Sequence, residues 1–188
     1  FALIRTRRHG GEYAFDYRNL DRWIETFDRY GVAECIEGGH LGGRSGGWES
    51  DFVFGGLTVE HEDGSSERLP SAPVDDPERR ALLREFLTSL KVHLQERGWW
   101  ERFIIHQADE PTPSNEASYR VMADFVRGVL PDVRRVDAVM AEGLVGCIEI
   151  RVPQIQEVHD GPRPEGEELW TYTCLAPQGP YPNRFLDF

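Results

Sequence analysis

The sequence predicts an α/β protein on a (β/α)8 TIM-barrel-like plan, here an incomplete barrel of about six strands. Three observations lead there. Short apolar runs alternate with stretches of helical periodicity, the pattern of parallel βαβ units with right-handed crossovers. Polar and unusual residues gather just after the strand ends, at His40, Asp109-Glu110, Gln154 and from Trp170 to Gln178. Several such loops on one face favour a barrel over an open doubly wound sheet, which has one switch point. Finally, 188 residues fall short of the roughly 250 typical of the barrel. A chain that starts at Phe1 and stops at Phe188 is therefore expected to be part of a longer protein, with 1–188 a single partial domain.

The elements follow in order. Ala2 to Ile4 reads as the tail of a strand. Between Asp16 and Tyr30, Leu20, Trp23, Ile24, Phe27 and Tyr30 recur at helical spacing, and Gly31 supplies a stop. Val32 to Glu37 reads as a strand that opens into the bulk-free loop Gly38-Gly39-His40-Leu41-Gly42-Gly43. Trp48 to Asp75 reads as a long insertion loop with a turn at Asp63-Gly64, in which Phe52–Phe54 and Leu57–Val59 form a small hairpin. Asp76 before Pro77 marks an N-cap and a first-turn proline. Leu83, Phe86, Leu87, Leu90 and Leu94 then share one face of a helix ending at Gly98, with Glu78-Arg79-Arg80 on its surface.

Trp99-Trp100 lies before the next strand and is assigned to packing. Phe103 to Gln107 is a buried strand running into Ala108-Asp109-Glu110-Pro111. Thr112 or Ser114 caps a further helix, marked by Tyr119, Met122, Val126, Val129 and Leu130 and ended by Pro131. Arg135 to Met140, Cys147 to Val152 and Leu169 to Cys174 complete the strands.

Composition narrows the function. A net charge of −12 leaves no basic footprint for nucleic acid, and 39% hydrophobic residues suffice for a core. No run approaches the roughly 18 apolar residues of a membrane span, and no signal-peptide pattern opens the chain. Compartment stays open, extracellular or periplasmic included. Cys35, Cys147 and Cys174 sit singly in apolar runs and are expected in the core, with no CxxC pair for zinc or dithiol chemistry. The six histidines form no HExxH pattern, so neither metal nor cofactor is expected. Glycines from Gly38 to Gly47 carry no phosphate-loop Lys and no GxGxxG, and Gly43-Arg44-Ser45-Gly46-Gly47 is not a nucleophile elbow.

Chemistry is concentrated at Asp109-Glu110. Two carboxylates beside an apolar strand and a proline cost desolvation unless partners or function compensate. Paired carboxylates suggest glycoside hydrolysis, in which one group must donate a proton. The usual retaining reaction needs a second carboxylate about 5–5.5 Å away as nucleophile, a geometry awkward for sequence neighbours. Neighbours suit substrate assistance, in which the sugar's own 2-acetamido oxygen attacks the anomeric carbon. Glu110 would then be acid and base, and Asp109 would hold the acetamido N–H and stabilise the oxazolinium. Two alternatives remain: a catalytically silent carbohydrate-binding barrel, and a two-carboxylate glycosidase of non-acetamido sugars with Glu37 or Glu149 as nucleophile.

The runs His106 to Pro111, Val152-Pro153-Gln154, Glu168-Leu169-Trp170-Thr171-Tyr172-Thr173-Cys174 and Gly179-Pro180-Tyr181-Pro182-Asn183-Arg184-Phe185 resemble the catalytic domain of glycoside hydrolase family 123. That family contains β-N-acetylgalactosaminidases. The resemblance implies a retaining, substrate-assisted reaction on a glycan with N-acetylhexosamine, a (β/α)8 barrel and no metal, with Asp109 as stabiliser and Glu110 as acid/base. The His-x-x-Asp-Glu spacing is also similar to family 20 hexosaminidases, whose usual glycines are replaced here by Gln107 and Ala108. Tyr172 and Trp170, two apart on a strand, would share a face of the sugar pocket. His40 and Gln154 are expected to contact sugar, and His106 either to support Asp109 or to be a core histidine satisfied by other partners.

Overall fold

The computed structural model describes residues 3–139, 143–158 and 165–173. Strands β1 (Arg5–His9) and β2 (Glu12–Asp16) form an antiparallel hairpin, followed by helix α1 (Arg18–Arg29) and strand β3 (Ile36–Gly38). Next come β4 (Gly42–Arg44), β5 (Phe52–Phe54), β6 (Leu57–His61), β7 (Ser66–Leu69) and β8 (Ala72–Pro73), then helix α2 (Pro77–Glu96). Strand β9 (Phe103–His106), helix α3 (Glu116–Val129), β10 (Arg134–Asp137), β11 (Ile150–Arg151) and β12 (Glu168–Leu169) complete the order.

The functional framework is the five-stranded sheet β12-β11-β10-β9-β3, parallel throughout. Its strands lie side by side in sequence order with no switch point. The fold is mixed α/β, with a parallel sheet that is open among the described residues and two smaller sheets beside it. One face of the parallel sheet carries Phe103 and Ile105 into the main core with α2 and α3, while the other carries a small cluster of Ile104, Val136 and Ile150. That division follows from the two-residue alternation of a strand.

Local chemistry explains the best-defined element. The Asp76 side chain accepts a 2.7 Å bond from the Arg79 backbone N–H, Pro77 opens the first turn, and Gly98 takes φ +71° beyond the helix end. Leu83, Phe86, Leu87, Leu90 and Leu94 are all buried. Removing the cap by Asp76→Ala should cost about 0.5–2 kcal/mol, measured by urea unfolding.

Several expectations need correction. The first strand is Arg5–His9, paired with Glu12–Asp16 across Gly10-Gly11, whose φ values are +56° and +94°. Its Arg-rich sequence, exposed on both faces, hid it. Phe52–Phe54 and Leu57–Val59 form no hairpin. β5 pairs with β4 and β8, β6 with β1 and β7, so the insertion is strand-rich and divided between two sheets. Trp23, Phe27 and Tyr30 are exposed and only Ile24 of α1 is fully buried. Arg79 is buried rather than on the surface, donating to the carbonyls of Gly55 and Pro70.

Neither Thr112 nor Ser114 caps α3. Asn115 occupies the N-cap position, and its side-chain oxygen accepts from the Thr112 N–H at 2.8 Å. Cys147 is buried but Cys35 is exposed, and Trp99 and Trp100 pack in the core. The three last parallel strands are shorter than their apolar runs. Met140, Cys174 and the Gly179–Phe185 motif lie outside the described residues.

Candidate active site

The C-terminal end of the parallel sheet brings together the loops after β3 and β9 and the segment after β12. The loop after β3 is tied down by the backbone N–H groups of Leu41 and Gly42, which both donate to the Gln107 carbonyl at 3.0 and 3.1 Å. Gly42 is required there, since a Cβ would run into the Val53 carbonyl and the Met122 side chain. The anchored loop presents His40, exposed, against His106 with Nε2 and Nδ1 3.2 Å apart.

Asp109 is exposed and Glu110 half-buried. Glu110 has φ +47°, the left-handed region, and is alone among the described non-glycine residues in adopting it. Such a conformation costs about 1–3 kcal/mol and persists only where surroundings impose it. Arg44 supplies one restraint, its Nη2 donating to the Glu110 carbonyl at 2.7 Å while its guanidinium stacks 3.8 Å from the centre of the Trp48 ring. Tyr172 supplies another, donating its hydroxyl to the Glu110 carboxylate at 2.5 Å.

Tyr172 reaches this position through a backbone bridge to Gln154, not as part of β12, which ends at Leu169. The expectation that Trp170 and Tyr172 share a strand face therefore fails. The Trp170 indole N–H donates to Glu168 at 2.7 Å, and its ring packs on the Ile104, Val136 and Ile150 cluster. Gln154 belongs to the same corner as Tyr172 through that bridge.

Beneath the loop lies a network that sequence reasoning missed. His106 is flanked by Glu37 at 2.8 Å on Nδ1 and by Asp137 at 3.2 Å on Nε2. The fully buried Asp137 also accepts the Tyr119 hydroxyl at 2.7 Å. An Asp inside the apolar run Val136 to Val139 was its only local signal. His106 is thus a largely buried histidine satisfied by Asp137 and Glu37, and among its described hydrogen bonds none goes to Asp109.

Burial alone would lower the His106 pKa. The bonds and charges of Asp137 and Glu37 reverse this and hold it up to about 9, against an ordinary value of 6.5. His40 moves the opposite way, lowered first by the partial shielding of its ring and then by the His106 charge. The His106 bond lowers Glu37, while burial pushes Asp137 up with His106 opposing. A histidine raised on folding contributes stability that is complete below about 6.5 and lost as pH rises through about 9. Melting temperature should fall across that window, and His106→Gln should flatten the fall.

Of the two alternative nucleophiles, Glu149 precedes β11 on the side away from the strand ends and bonds Arg135 through Nε at 2.8 Å. Glu37 is engaged by His106. The described histidines and acids do converge once, although their sequence spacing did not suggest it: one ligating atom each from His40, His106 and Asp109 lie within 4.8 Å of one another.

The family model for the glycoside hydrolase 123 catalytic domain matches residues 2–188. The chain belongs to this family. Among solved structures, the family 123 domain is similar to a family 123 glycoside hydrolase from Clostridium perfringens, described in a study of glycolipid glycan hydrolysis. The TM-score is 0.64 at 17% identity, over 82% of this chain and 27% of that one. The family 123 domain thus spans about a quarter of that structure's length. A search of curated proteins gives no match. None of the described helices of the domain is long and apolar enough to cross a membrane.

Proposed function

We propose that this domain belongs to a retaining glycoside hydrolase that removes terminal β-linked N-acetylgalactosamine by substrate assistance, on a (β/α)8 barrel of which the sequential parallel sheet is one wall. The observation carrying the mechanism is the pairing of carboxylates. Glu37 and Asp137 are bonded to His106 and Glu149 to Arg135, whereas the neighbours Asp109, exposed, and Glu110, half-buried with the Tyr172 hydroxyl on its carboxylate, have no cation bonded to their carboxylates among the described contacts. Sequence neighbours are awkwardly placed to act as acid and nucleophile on opposite sides of a glycosidic bond. The nucleophile is then supplied by the sugar.

In this reading the acetamido carbonyl oxygen attacks the anomeric carbon as Glu110 gives its proton to the departing oxygen. Asp109 accepts the acetamido N–H and faces the positive charge of the oxazolinium. Glu110, now a carboxylate, takes a proton from water as that water opens the ring, and configuration is retained after two inversions. Tyr172 and Arg44 hold the acid/base residue by its carboxylate and its carbonyl. His40, Gln154 and Trp170 supply contacts to the sugar around them.

Hydrolysis by the full-length protein of an aryl 2-acetamido-2-deoxy-β-galactoside, its gluco epimer and the 2-hydroxy β-galactoside tests the reading. Turnover confined to the acetamido galactoside is the expected result. Turnover of the 2-hydroxy sugar would exclude a participating amide, and binding without turnover would favour a silent barrel.

A further inference from the structure

We propose that His40, His106 and Asp109 form a divalent-cation site of the zinc class, and that its occupation silences hydrolysis by withdrawing Asp109 from the substrate. The second half rests on the role given to Asp109 above. The first half rests on geometry alone.

One ligating atom from each of the three residues lies within 4.8 Å of the others. The two imidazole nitrogens, His40 Nε2 and His106 Nδ1, are 3.2 Å apart. Two nitrogens bound to one tetrahedral zinc at about 2.0–2.1 Å stand roughly 3.3 Å apart, so this edge of a coordination tetrahedron is already formed. The ring centroids are 4.1 Å apart, and aiming both nitrogens at one ion requires them to part by about 1 Å. His40, exposed on its glycine-rich loop, can make that change through its side-chain torsions.

The remaining shell has the form that metal-binding histidines require. The far nitrogen of His106, Nε2, lies 3.2 Å from the buried Asp137 carboxylate, which is held in turn by Tyr119. A carboxylate behind a ligating histidine fixes its ring and strengthens its donor nitrogen. Glu37 Oε1, 2.8 Å from the same Nδ1, offers a fourth ligand. A cation entering here displaces the Nδ1 proton to solvent and replaces a hydrogen-bond junction by coordination bonds. Sequence positions 40, 106 and 109 follow no metal spacing; the pairing of β3 with β9 and the anchoring of the loop after β3 onto Gln107 bring them together.

The test uses the metal-free full-length protein. Zn2+ is titrated in competition with a chromophoric chelator, Co2+ is titrated while its visible absorption is recorded, and hydrolysis is followed in parallel. One equivalent of metal, tetrahedral Co2+ bands, at least tenfold weaker binding in both His40→Gln and Asp109→Asn, and inhibition reversed by EDTA are expected. His40 is exposed, so an unchanged melting temperature in metal-free buffer certifies the fold of that variant. Absence of stoichiometric binding, or binding indifferent to both substitutions, would overturn the site. Binding that leaves hydrolysis unchanged or raises it would overturn the silencing. Because binding is read without substrate, a failure of the proposed hydrolysis leaves the metal result standing or falling by itself.

Discussion

Glu110→Gln should lower turnover of an unactivated β-N-acetylgalactosaminide by about 10²–10⁴-fold. The amide occupies nearly the same volume and can still accept the Tyr172 hydroxyl, but it has no proton to give the departing alkoxide. Leaving groups need that proton to different degrees. An aryl glycoside with an acidic phenol should lose less in the glycosylation step than an alkyl glycoside, and comparing the two series measures the proton's contribution. Equal losses for both would show that Glu110 acts through structure. The left-handed backbone at Glu110 does not confound the comparison, since Gln and Glu carry the same constraint at Cβ.

Asp109→Asn should reduce kcat on the acetamido galactoside by about 10²–10³-fold, the scale on which loss of one aimed electrostatic partner reduces turnover. The substitution keeps a hydrogen-bond acceptor for the acetamido N–H but removes the negative charge facing the oxazolinium. The effect should therefore fall on kcat more than on KM. Asp109 is exposed, so the fold should tolerate the change. An unchanged kcat would exclude the acetamido mechanism.

What was legible in the sequence was what is local. Asp76, Pro77 and Gly98 carry helix-end chemistry within a few residues, and they bound α2 as expected. Phe103–Ile105 announces itself by unbroken apolarity, and Asp109-Glu110 stands out because paired charge follows within a few residues of that strand. Pairing was not legible. Phe52–Phe54 and Leu57–His61 look like hairpin partners at close range, yet each finds its neighbours elsewhere. The site divides in the same way. The acidic pair was visible, whereas the links of His106 to Glu37 and Asp137 span 69 and 31 residues. Arg44, which grips the Glu110 carbonyl from 66 residues away, had no signal beyond being an arginine in a glycine-rich stretch.

The hydrogen bond from Tyr172 to Glu110 joins residues 62 positions apart. A ribosome delivers the chain from its N-terminus, and structure forms behind it as it emerges. Arg44, His106, Asp109 and Glu110 are thus all made, and β3 and β9 can pair, well before Tyr172 is made. The acid/base residue acquires its hydroxyl partner only when one of the last described segments docks. Nascent chains stalled between β11 and Tyr172 would hold both carboxylates and still lack the Tyr172 hydroxyl on Glu110.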